Sequence, residues 1–293
     1  MPERCNAPFS GQAAQIWLGT LVEVSARAGT EAARKAALAA AFAAIARVHR
    51  ALSRHDPESE LSRVNRGALT TIQPVSKDFR AVLRRALEIA CRSVGAFDPT
   101  VGHVERDERA PEGGATWRDV ELDLRGVRFA RPLALDFDGI AKGYAVDCAV
   151  AALQSHGATA GRVNAGGDLR VFGPEPEPIH VRTGGPQSVV LALAMLADGA
   201  VATSAYGGQR RRRWGRWTTP LIDPRSALPR MSTRTVSVIA ADCITADALT
   251  KVVALEGAAA AKTLASCGAS AAILSPARGR WRCTRLPRPA AAA

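Results

Sequence analysis

The feature that most constrains this chain is a change of hydrophobic period within its first fifty residues. IWLGTLVEVSA (16–26) is dense in β-forming side chains and reads as an opening strand. Just beyond it, Thr30 can cap a segment in which Leu38, Phe42, Ile45 and Leu52 recur at steps of four, three and seven. That spacing predicts an amphipathic helix with an alanine-rich body.

No regular strand–helix–strand beat follows. SRHDPESELSRVNRGA (53–68) reads as a polar loop. A second helix is expected over about 77–94, with Phe79, Leu83, Leu87 and Ala90 on one face and a stop at Gly95. Residues 105–118 are polar, with Pro and paired Gly, and form the weakest-ordered internal stretch. ELDL (121–124) and VRFA (127–130) are short strand candidates, and a helix runs from Ile140 to His156 with Gly157 as its stop. RVNAGGDLRVFG (162–173) reads as a strand interrupted by close-packed glycines. Further strands are expected at 179–183, 189–195, 233–241 and 269–275, and helical stretches near 246–256 and 258–266. This mixture predicts an α+β fold with mixed, mainly antiparallel sheets and packed helices. With no repeat and no linker to divide it, a single domain is expected over 16–285. A flexible N-terminus (1–15) precedes it and a disordered tail (286–293) follows.

The net charge of +12 raises nucleic acid as a partner, but all except five of the 39 basic residues are arginines scattered through an alanine-rich chain. Only GQRRRRWGRW (208–217) concentrates charge beside aromatics, and a solvated hairpin face accounts for it; no nucleic-acid partner is expected. No apolar run reaches the roughly eighteen residues of a membrane span. The opening MPERCNAPFSGQAAQIWLGT lacks a signal-peptide core, so the expected location is cytoplasmic. The six cysteines are widely spaced without a C-x-x-C pair, which fits reduced thiols. His49, His55, His103, His156 and His180 show no metal-ligand spacing.

Two segments carry chemistry. In LDFDGIAKGYAVDCAV (135–150), Asp136 and Asp138 stand beside Gly139, with one of the five lysines, Lys142, in the first turn of a helix. The phosphate-loop and dinucleotide glycine spacings are both absent. A glycine-led helix entry with a lysine suits an anionic ligand, and equally suits a tight turn with its lysine in solvent. In ITADALTKVV (244–253), Asp247, Thr250 and Lys251 share one helix face. A carboxylate and a hydroxyl there can ligate a hard cation, or Thr245 or Asp247 can simply cap the helix.

Eight blocks, in order, resemble the ApbE family of FAD:protein FMN transferases. They are LGT (18–20), SRHDPESELSRVN (53–65), GAFDPTVG (95–102), LDFDGIAKGYAVD (135–147), VNAGGDLRVFG (163–173), VATSAYGG (201–208), LIDPR (221–225) and ADALTKV (246–252). The resemblance implies an enzyme that binds FAD and, with magnesium, transfers its FMN part to a threonine or serine of a target flavoprotein, releasing AMP. It implies FAD contacts at Leu18, His55, Ala96, Phe97, Asp98, Asp136, Lys142 and Leu221, and a metal site at the Gly139 main chain, Asp247 and Thr250. The other outcomes are FAD binding without transfer, and hydrolysis of FAD to FMN and AMP. Three positions depart from the family pattern. Lys251 replaces a threonine, Pro220 a histidine and Leu18 a methionine. An ammonium cannot ligate magnesium; it repels or replaces it. The ATS block of DGAVATSA (198–205) has a counterpart in the family, so a structural or site-lining role is expected rather than self-modification.

Overall fold

The computed structural model describes residues 9–102, 114–186, 188–213, 216–277 and 280–286. His103, Cys5, most of 105–118 and the tail beyond Leu286 lie outside them.

The opening element is a hairpin rather than one strand. β1 (Phe9–Trp17) pairs antiparallel with β2 (Thr20–Ala28), and the two-residue turn holds Leu18 at φ 55° and Gly19 at φ 72°. Left-handed geometry at both turn residues matches the twist of the flanking strands. Leu18 is an unusual residue for that position, so the turn was hidden in an apolar run. Residues 9–15, expected as part of a flexible terminus, are paired in β1.

Three helices follow. Thr30 caps α1 (Glu31–Leu52), its hydroxyl accepting the Ala33 N–H at 3.1 Å. The stretch 53–68, expected as a loop, contains α2 (Glu60–Gly67). Ser59 caps it at 3.0 Å from the Ser62 N–H, and only Leu61 and Val64 bury an apolar face. Two apolar positions in a polar octet are too few to show a helical period. α3 (Lys77–Arg92) begins at Ser76 and is followed by Gly95 at φ 77°.

The rest of the chain supplies β3 (Val120–Leu122), β4 (Val127–Phe129), α4 (Ala141–Ser155), β5 (Ala158–Ala165) and β6 (Asp168–Phe172). Next come β7 (Glu177–Arg182), β8 (Val190–Leu196), β9 (Gly199–Ala205), β10 (Arg211–Arg213), β11 (Arg216–Thr218), β12 (Leu221–Asp223), β13 (Leu228–Arg230) and β14 (Thr235–Ala240). The last elements are α5 (Cys243–Glu256), α6 (Ala261–Ser266), β15 (Ser270–Ala277) and β16 (Arg280–Leu286). Leu286, placed in the tail from sequence, ends β16 and is buried. Among the described residues no helix is long and apolar enough to cross a membrane.

An eight-stranded sheet ordered β1-β2-β5-β6-β9-β14-β15-β16 organises the fold, and every neighbouring pair in it is antiparallel. The stretch 162–173 is a hairpin within this sheet. Gly166 (φ 63°) and Gly167 (φ 103°) make its turn between β5 and β6. The period of two along β6 sends Leu169 and Val171 into the apolar cluster shared with β7 and β8. On the opposite face, Asp168 reaches Lys142 and Arg170 reaches Asp147, both on α4. Alternation along one strand thus places two ionic groups under the helix that forms the site.

Candidate functional site

The segment Asp136–Phe137–Asp138 alternates as an extended chain must. Phe137 is 1% exposed and meets Phe79 edge-on, with ring centroids 5.3 Å apart at 72°. This pair anchors the loop and leaves both carboxylates on the side of a cavity of about 310 Å³. Asp136 accepts the Asp138 N–H at 2.7 Å, and Asp138 accepts Arg54 Nε at 2.6 Å. Asn65 secures the same segment in both directions, accepting the Leu135 N–H at 2.8 Å and donating to its carbonyl at 2.9 Å.

Of the residues expected at a ligand site, Ala96, Phe97, Asp98, Asp136, Gly139 and Lys142 line this cavity together, with Lys251 beside them. Asp98 is committed to its own loop. It accepts the Thr100 N–H at 2.9 Å, the Thr100 hydroxyl at 2.7 Å and the Trp117 N–H at 3.1 Å, and burial pushes its carboxyl up. Leu18 and His55 border an adjoining cavity of about 290 Å³, which shares Arg54, Asp138 and Lys142 with the first. Leu221 is 3% exposed and belongs to the core, whereas its neighbours Pro220 and Ile222 line the cavity. The period of two in β12 turns the expected residue inward and the flanking ones outward.

The start of α4 and the body of α5 meet at the cavity, through Lys142 and Lys251. α4 starts at Ile140 without a side-chain cap, and its Gly143 N–H donates to Asp247 Oδ2 on α5 at 3.1 Å. α5 is capped by Asp242, which accepts the Thr245 N–H at 2.9 Å; neither Thr245 nor Asp247 serves as the cap. Asp147 of α4 accepts the Cys243 and Ile244 N–H groups at 2.9 and 2.8 Å, locking the two helices together.

Lys142 is held rather than free in solvent, although 34% of its side chain is exposed. Its ammonium is bonded to Asp168, which is 2% exposed. Lys251 is bonded to the Asp247 carboxylate and donates to the Asp247 carbonyl at 3.1 Å. Thr250 is fully buried, its hydroxyl donating to the Asp247 carbonyl at 2.7 Å and sharing a hydrogen bond at 2.8 Å with Ser204 Oγ, a residue of the cavity wall. Two buried aspartates therefore face two lysines. Burial works against the Lys142 ammonium, but Asp168 and Asp247 outweigh it and hold its pKa above the ordinary lysine value. Burial also raises Asp247, yet Lys142 and Lys251 dominate and keep it below the usual carboxylate range. Burial and the Asp247 charge push Asp168 up.

Ser204 of the ATS block lines this cavity, and Arg54, Asp168 and Tyr206 also belong to this region and were not singled out from sequence. Asp168 had a faint signal, an aspartate directly after a paired glycine at a strand start. Arg54 had none, one arginine among many.

A helix-floored cavity between an antiparallel sheet and an aspartate-rich loop, with lysines at the entry of one helix and in the body of another, defines an anion-accommodating site. The chain belongs to the ApbE family, whose model matches residues 18–274. A protein named FAD:protein FMN transferase from Rhodobacter capsulatus is 29% identical, over 82% of this chain and 50% of its own length. One of the same name from Vibrio cholerae is 29% identical over 68% of this chain and 66% of its own. The chain thus spans about half the length of the first relative and about two thirds of the second. The crystal structure of the ApbE protein from Thermotoga maritima superimposes with a TM-score of 0.78 at 25% identity, covering 90% of this chain and 94% of that one. The α+β reading agrees with that neighbour.

Proposed function

We propose that this chain transfers the FMN part of FAD to a threonine or serine of a target protein and releases AMP. The observation that carries the reading is the grouping of Phe97, Asp136 and Lys142 around one cavity, at positions that the family resemblance assigns to FAD, in a chain matched by the family model over most of its length. The acceptor hydroxyl oxygen forms a bond to the FMN phosphorus. The bond from that phosphorus to the bridging oxygen breaks, AMP leaves with that oxygen, and the hydroxyl proton passes to solvent. Lys142 offsets charge on the diphosphate, Phe97 offers an apolar face to the flavin ring, and the adjoining cavity at Leu18 and His55 extends the room for the dinucleotide. The three positions expected to hold magnesium do not present a free donor set, because Lys251 engages Asp247 and Thr250 turns to Ser204. No part of the transfer is assigned to a metal ion.

The test is incubation with FAD and a peptide carrying an acceptor threonine, followed by mass spectrometry for the FMN adduct and AMP. Adduct and AMP in equal amounts are expected. AMP with free FMN and no adduct would favour hydrolysis, and FAD binding without either product would leave a flavin-binding protein.

Lys142→Ala is expected to weaken FAD binding by about tenfold or more, the value of a charge-assisted contact. A lysine whose folded pKa is raised stays charged at every pH below its ordinary value of about 10.4, and loses its charge only as pH climbs through the raised value. Wild-type affinity should therefore show no loss from deprotonation of Lys142 between about pH 7 and 10. Flavin fluorescence measures both: unchanged affinity in Lys142→Ala would remove Lys142 from the binding role, and a wild-type step in that range that the variant lacks would mean that its pKa is not raised.

For location we propose a reducing compartment such as the cytoplasm, since Cys91, Cys148, Cys243, Cys267 and Cys283 are all free thiols. Fewer free thiols than cysteines in protein purified without reductant would count against it.

A further inference from the structure

The three positions expected to face a magnesium ion all converge on Lys251. A Cβ placed on Gly139 would stand 3.3 Å from Lys251 Cε, so the lysine stem runs across that glycine. Its ammonium is bonded to the Asp247 carboxylate and donates to the Asp247 carbonyl, the same carbonyl that Thr250 engages. The second Asp247 oxygen is held by the Gly143 N–H at 3.1 Å. The charges around this point balance: Lys142 and Lys251 against Asp168 and Asp247, with the two aspartates 2% and 0% exposed. In the ligand-free protein a divalent ion entering that cluster would add two charges that the aspartates, already engaged by the lysines, do not compensate, and would stand beside an ammonium in a poorly solvated place. Lys251 itself keeps 24% of its side chain exposed and lines the cavity. Of its three N–H donors, two are directed to Asp247, which leaves one for the cavity.

We propose that the Lys251 ammonium is a built-in cation: it takes the place of a divalent metal ion in this site and, with Lys142, directs its remaining N–H donor to the diphosphate of the bound dinucleotide. The proposal rests on FAD being the ligand, and its consequence is a transferase site that needs no magnesium. Lys251 was visible in the sequence as a departure. The structure adds that its ammonium, its stem and the charge balance around it all close the metal position.

The experiment uses the full chain. Manganese binding, followed by electron paramagnetic resonance with and without FAD, is paired with flavin-fluorescence titration in magnesium and in EDTA. Wild type is expected to show no saturable manganese binding and FAD affinity equal in the two buffers. Lys251→Thr is expected to gain manganese binding and to lose about tenfold in FAD affinity in EDTA, recovering it with magnesium. Lys251→Arg keeps the charge and is expected to bind FAD independently of metal, which covers the case in which the threonine variant fails to fold. Stoichiometric manganese binding by wild type, or a tenfold gain in its FAD affinity with magnesium, overturns the proposal. Absence of FAD binding in both buffers would instead reject the flavin reading, and the manganese arm alone would then uphold or overturn the metal-free site.

Discussion

Replacing Asp168 with alanine is expected to cost about 1–3 kcal/mol of stability, less than the loss of one partner from a fully buried ion pair, because the Lys142 side chain that stays is 34% exposed. Asp168 is almost fully buried and bonded to Lys142, so its removal leaves that ammonium facing Asp247, which Lys251 already engages. In a chain of this size each kcal/mol corresponds to roughly 2–4 °C of melting temperature. Chemical denaturation should show the full effect in Asp168→Ala, a similar effect in Lys142→Ala, and a double variant that loses less than the sum of the two. Additive losses would mean that the two groups do not stabilise each other. The same geometry gives Lys142 a structural duty beside its proposed binding role, because it compensates a buried carboxylate.

Gly143→Ala is expected to destabilise by about 1–3 kcal/mol, as overpacking does in a tight interior. A Cβ there would run into the Cys243 carbonyl and stand 2.9 Å from Asp247 Cβ. Backbone cannot swing aside as a long side chain can, so α4 and α5 would have to separate. The hydrogen bond from the Gly143 N–H to Asp247 would stretch with them. Gly29→Ala is the control, since a Cβ at Gly29 meets nothing within 4 Å; its melting temperature should stay close to wild type. Equal calorimetric melting points for the two variants would show that the helices tolerate the extra methyl.

Much of the fold was legible because burial imposes a period. α1, α3 and α4 declared themselves through apolar spacing and flanking Ser, Thr and Gly, and β14 and β15 through their β-forming runs. α2 was missed because two buried residues do not make a period, and β1 because Ala, Gly and Gln are weak strand formers held there by pairing. β9 sits in the middle of the sheet, but its GAVATSA sequence of small residues carries little β signal. At the site, the family blocks brought Asp136, Phe97 and Lys142 to one cavity. They did not reveal that Leu221 turns inward, since that depends on which face of a three-residue strand meets the core. Nor did they reveal that Lys142 is shared with Asp168, a contact between residues on a helix and a strand.

The order of the large sheet has a consequence for how the site comes into being. β2 lies beside β5 and β6 beside β9, so strands from distant parts of the chain must meet before the sheet is continuous. Such long-range pairing makes folding slow compared with that of a helical bundle of similar stability. The cavity draws Arg54 from the first fifth of the sequence, Lys142 from its middle and Lys251 from near its end. No contiguous fragment shorter than 54–251 contains Arg54 together with both ammonium groups, and no nascent chain still missing α5 contains Lys251, so the site comes into existence only after α5 has been made.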